Sequence, residues 1–101
     1  MNYGETVSSA FERFLSAKAA IGAVDKTLET YRAHFTAMSK HFDNSISIDE
    51  LRLSHLNNMI ESLRGTNLSA NTIKSYSITM RAFINWCNKE RLTNIKFKAY
   101  K

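Results

Sequence analysis

The sequence predicts an all-α protein, a compact bundle of amphipathic helices, on three observations. Apolar residues recur at helical spacing in four separate segments. Proline is absent and glycine occurs three times, so helix breakers are rare. Clusters of Gly, Asn, Asp and Ser fall between the apolar segments. The 101 residues make one domain's worth of chain, and a 44% hydrophobic share with six Phe, four Tyr and one Trp supplies a core.

Each element follows from its spacing. Val7, Phe11, Phe14, Leu15 and Ile21 lie close to one stripe of a first helix. Thr6 or Ser8 is placed to cap it, and Gly22 to stop it. Leu28, Tyr31, Phe35, Met38 and Phe42 share one face of a second helix, with Asp25 or Thr27 as its expected cap. That helix ends before the turn-forming Asp43-Asn44-Ser45. Residues 46–53 read as a short connection or single turn anchored by Ile46, Ile48, Leu51 and Leu53. Ser54 is the expected cap of a third helix, whose inner face carries Leu56, Met59, Ile60 and Leu63 and which stops at Gly65-Thr66-Asn67. Ser69 starts a longer fourth helix with the stripe Ile73, Tyr76, Met80, Phe83, Ile84 and Cys87, ending near Asn88. Four such helices bury their stripes only against each other. The last ten residues, LTNIKFKAYK, mix apolar and basic positions and read as an exit strand or linker.

Composition excludes several functions. No stretch approaches the ~20 consecutive apolar residues of a membrane span, and MNYGETVSSAFERF lacks the pattern of a secretory signal. A single cysteine, Cys87, cannot form an internal disulfide and fits a reducing cytoplasm. His34, His41 and His55 come without a cysteine pair or His-x-x-x-His spacing, so they read as solvated or capping residues, not zinc ligands. Cys87 lies on an apolar stripe and reads as a buried thiol. Asp49 and Glu50 sit in a connection and suit a turn better than acid–base work. There is no glycine-rich phosphate loop and no nucleophile in a recognisable context, so neither a cofactor nor catalysis is expected of this chain.

Charge distribution says more than the total of +5. Residues 1–68 carry seven Lys/Arg against eight Asp/Glu, whereas residues 69–101 carry seven against the single acid Glu90. The positive excess lies in the last third. On the fourth helix Asn71, Lys74, Ser75, Ile78, Arg81 and Asn85 lie opposite the apolar stripe, and Lys74, Ile78, Arg81 and Asn85 share one line. A helix start offers free N–H groups and a partial positive charge to a phosphate. Lys74 and Arg81 suit phosphates or guanine acceptors. The second helix has a similar start in Lys26, Thr27 and Thr30, and a two-helix clamp is one reading of the pair. The competing reading is a plain solvated face.

The runs Thr27-Leu28-Glu29-Thr30-Tyr31-Arg32, Ser47-Ile48-Asp49-Glu50-Leu51, Leu68-Ser69-Ala70-Asn71-Thr72-Ile73-Lys74-Ser75-Tyr76 and Met80-Arg81-Ala82-Phe83-Ile84-Asn85-Trp86-Cys87 occur in that order. Together they resemble the N-terminal core-binding domain of phage integrases, the tyrosine recombinases. The likeness covers roughly residues 6–92. It implies a SAM-like bundle of four to five helices that grips the crossover region of attachment-site DNA, with a separate catalytic domain on the opposite side. The positions it carries over are Lys26, Thr27 and Thr30 on the second helix and Ser69, Asn71, Thr72, Lys74, Ser75 and Arg81 on the fourth. It implies residues 1–5 as a flexible N-terminus, 6–92 as the domain and 93–101 as the start of a linker to the catalytic domain. The family's cleavage chemistry, a tyrosine nucleophile with arginines and histidines, belongs to that other domain; Tyr3, Tyr31, Tyr76 and Tyr100 have none of its context. The family's usual proline after the last helix is missing, with Thr93-Asn94-Ile95 in its place. The expected partners are double-stranded DNA and the catalytic domain of the same full-length protein, with the isolated fragment monomeric and no membrane involved. Two alternatives stay open at this point: a helical protein–protein interaction module, with Trp86, Phe97 and Tyr100 in its patch, and a helix-turn-helix regulator fragment.

Overall fold

A computed structural model describes residues 5–97. The order is α1 (Val7–Ala20), α2 (Asp25–Met38), a 3-10 turn (Ile48–Glu50), α3 (Leu53–Arg64) and α4 (Ala70–Lys89). The expected all-α bundle is what forms, and α4 is the helix that packs on all three others. Tyr3 and Tyr100 lie outside the described residues.

The start of α1 shows how the chain satisfies helix ends. Thr6 Oγ1 accepts from the Ser9 N–H at 3.0 Å, and Ser9 Oγ accepts from the Thr6 N–H at 3.1 Å, a reciprocal capping box. The Val7 and Ser8 N–H groups donate instead to the carbonyls of Ile46 and Asn44 in the α2–α3 link, at 3.0 and 2.9 Å. Glu5, expected in a flexible N-terminus, is tied down: its carbonyl accepts from the Ile48 N–H at 2.9 Å and its carboxylate takes two hydrogen bonds from Arg13.

Several expected boundaries move, each for a local reason. Ile21 is 78% exposed and leaves the stripe because α1 ends at Ala20. Gly22 follows at φ +101, the Gly22 and Ala23 N–H groups bond to the carbonyls of Ala19 and Lys18, and this Schellman turn carries the chain off the bundle. Neither Asp25 nor Thr27 caps α2: the N-cap is Val24, without a side-chain hydrogen bond, and Asp25 is already helical. Phe42 falls beyond α2, since Ser39 Oγ donates to the Phe35 carbonyl at 2.8 Å and the next N–H groups close tighter turns. Phe42 still packs edge-on against Phe35 at 6.3 Å. Ser54 lies inside α3; the N-cap is Arg52, whose N–H donates to His55 Nδ1 at 2.9 Å. A guanidinium has no acceptor, so the reciprocal arm of a capping box is missing there.

The core joins α1, α2 and α4 through phenylalanine rings. Phe11 stacks on Phe35 at 4.0 Å, and Phe83 meets Phe11, Phe14 and Phe35 edge-on at 5.2, 5.7 and 6.2 Å. Leu56, Met59 and Leu63 of α3 are buried, as are Ile48 and Leu51 of the connection. The stretch after α4, expected to leave as a linker from residue 93, packs back at least to residue 97. Leu92 and Ile95 are buried, and the Asn88 amide donates to the Ile95 carbonyl at 2.7 Å and accepts from its N–H at 3.0 Å.

Candidate nucleic-acid interface

Helix α4 positions the polar line. Its N-cap is Ser69, as expected, with Oγ accepting from the Thr72 N–H at 3.1 Å and donating to Thr72 Oγ1 at 3.0 Å. Ser69 and Thr72 are thus engaged with each other. Asn71, Lys74, Ser75, Ile78, Arg81 and Asn85 are all exposed. Between Ala70 and Lys89 there is no acidic residue, so the line carries the charges of Lys74 and Arg81 alone. Arg81 is held sideways: its guanidinium lies over the Phe97 ring at 4.6 Å, beside a cavity of about 160 Å³ between α3 and α4.

At the start of α2, Lys26 and Thr30 are exposed and Thr27 is half-buried. No side chain caps these first N–H groups. The ion pairs among the described residues take Arg13, Arg32 and Arg64, and none uses Lys26, Lys74 or Arg81. Arg32 is committed to Glu12 across the α1–α2 packing at 2.6 and 3.1 Å.

Besides the Phe35–Phe83 contact, α2 and α4 meet at a polar pair that residue spacing did not disclose. Thr79, a buried polar side chain of the α4 core face, meets His34 Nδ1 at 2.7 Å, and the His34 ring lies 5.0 Å from that of Tyr76. His34 is therefore neither solvated nor a cap; desolvation pushes its pKa below the ordinary value. This contact lies about two and a half turns into each helix. Among the described residues no hydrogen bond or ion pair joins a candidate residue at the α2 start to one at the α4 start. His55 is a cap, and His41 Nδ1 lies 2.8 Å from Ser62 Oγ.

Cys87 is fully buried and its thiol is pushed up to about 12, chiefly by desolvation. No three His, Cys, Asp or Glu side chains among the described residues are grouped to hold a metal ion. No described helix is long and apolar enough to cross a membrane.

Fold and surface together define a small all-α domain whose longest helix displays a cationic, acid-free face. The family described as phage integrase, N-terminal SAM-like domain, matches residues 9–91, and the chain belongs to that family. The match is to that family's N-terminal domain. Neither a curated protein nor a solved structure matches the chain.

Proposed function

We propose that this domain is the core-binding part of a phage-type integrase, a tyrosine site-specific recombinase, and that it grips attachment-site duplex DNA for integration or recombination. The exposed, acid-free line of α4, with Lys74 and Arg81 in no ion pair among the described residues, carries the reading. Phosphates are the ligands such a line attracts, and contacts to them position a protein on duplex DNA. Membership of the integrase family supports the same conclusion. The uncapped start of α2, beside Lys26 and Thr30, offers a second phosphate contact. Thr27, Ser69, Asn71, Thr72 and Ser75 complete the two starts, small enough to approach a backbone or base edge. The domain works without a cofactor, as a monomer when isolated, in the cytoplasm where the DNA lies. Strand cleavage belongs to a catalytic domain of the full-length protein.

An amide-shift NMR titration with duplex DNA at low salt, repeated at higher salt, tests this. Shifts gathered at residues 26–30 and 69–75 that fade with salt are the expected result. Shifts absent from both starts would reject the clamp in favour of a protein-interaction bundle.

A further inference from the structure

Ile78 stands out on the α4 line. It is 58% exposed, and among the described residues the other exposed large hydrophobics, Ile21, Val24 and Leu68, all lie in the links between helices. Ile78 lies inside a helix, with Lys74 one turn before it, Arg81 one turn after it and Asn85 beyond. All four leave the helix on the same face, since steps of three and four residues return to it, and the Arg81 guanidinium then turns aside onto Phe97. A branched aliphatic side chain is thus held in water between two cations. The cations select a polyanion, and the isoleucine needs an apolar surface on that same polyanion.

Duplex DNA has such a surface in its major groove. The groove admits an α-helix, and among the donors and acceptors of its base edges the one apolar feature is the C5 methyl group of thymine. Building on the DNA-gripping reading, we propose that Ile78 is a specificity-determining residue that packs on a thymine methyl in the major groove, while Lys74 and Arg81 engage the flanking phosphates or bases. Stacking on Phe97 uses the face of the Arg81 guanidinium and leaves N–H groups at its edge to donate. Removing one buried methyl group costs about a fourfold loss of affinity.

The test starts from short duplexes that the protein retains out of a randomised pool at low salt. Each thymine is then replaced singly by deoxyuridine, which removes the methyl and nothing else, and affinity is read by fluorescence anisotropy. The expected result is a loss of about fourfold at one or two positions for the wild type. For Ile78→Ala, an exposed change to the best helix former, no loss is expected at those positions. Equal binding of thymine and deoxyuridine duplexes by the wild type, with Lys74→Ala still weakening both, would overturn the role of Ile78 and leave the DNA-gripping reading standing. Retention of no duplex by the wild type would overturn that reading and this inference together.

Discussion

Lys74 and Asn71 occupy neighbouring exposed positions at the start of α4 but offer different chemistry. An ammonium binds phosphates as a point charge, whatever the base sequence. An amide can pair with the two major-groove groups of adenine. Lys74→Ala should therefore weaken binding to all duplexes alike and lower the salt slope of log Kd by about one. Asn71→Ala should narrow the gap between preferred and scrambled duplexes. Anisotropy titrations over a salt series separate the two effects, and an unaltered slope for Lys74→Ala would remove it from the phosphate contacts. His34 makes a different prediction. Its pKa is below the ordinary 6.5 in the folded chain because burial disfavours the charged ring. The unfolded chain then binds more protons once the pH drops under about 6.5. Stability is accordingly full above that value and declines as pH falls from it through the lower folded pKa. Urea unfolding at about pH 7.5 and about pH 5.5 should show that loss, and His34→Gln should remove part of it.

Two helices end in the same way with different residues. Gly22 after α1 and Arg91 after α4 both have positive φ, +101 and 63. After α4 the Leu92 N–H reaches the Cys87 carbonyl at 2.9 Å and the Arg91 N–H reaches that of Asn88 at 3.1 Å, the same Schellman pairing as at Gly22. A side chain in the left-handed region costs about 1–2 kcal/mol, and glycine's extra freedom in the unfolded chain costs about 0.5–1 kcal/mol. Arg91→Gly should thus stabilise the domain by about 0.5–1 kcal/mol. Gly22→Ala should destabilise it by about 1 kcal/mol through backbone strain alone, because a Cβ there meets nothing within 4 Å. Thermal melts read both, and shifts of the same sign would contradict the argument. These ends also show how far sequence reaches. The pattern Leu68-Ser69-x-x-Thr72 discloses the cap of α4 because every partner lies within three residues. Gly22 is legible for the same reason. Arg91 is not, since arginine is no left-handed residue by preference and the turn forms to bury Leu92.

At the scale of the whole molecule, Phe83 is the joint. It is fully buried and its ring meets those of Phe11, Phe14 and Phe35, so α1, α2 and α4 converge on it. Phe83→Ala removes those contacts and leaves a cavity, at a cost of about 3–5 kcal/mol. Domains of this size are stable by about 5–15 kcal/mol, so the variant should melt far lower or populate the unfolded state at 37 °C, as circular dichroism would show. An unchanged melting point would mean the ring cluster is not the centre of the core. The same packing carries the candidate site: α2 and α4 present their exposed starts from a common interface at His34 and Thr79. Lys26 and Lys74 were legible as exposed because polar faces follow from periodicity. Thr79 was not, since a threonine on an apolar stripe declares no partner.

The sequence by itself determined the four helices, the faces they bury, the start of α4 at Ser69 and the exposure of the line Lys74, Ile78, Arg81 and Asn85. All of these rest on interactions within a few residues or on the 3.6-residue period, which a linear chain already contains. Tertiary structure alone decided that Val7 and Ser8 donate to Ile46 and Asn44, that Ile95 returns to the core under Asn88, and that His34 meets Thr79 across 45 positions of chain. Buried donors and acceptors must find partners when water is excluded. Which partners they find is settled only when distant segments pack together.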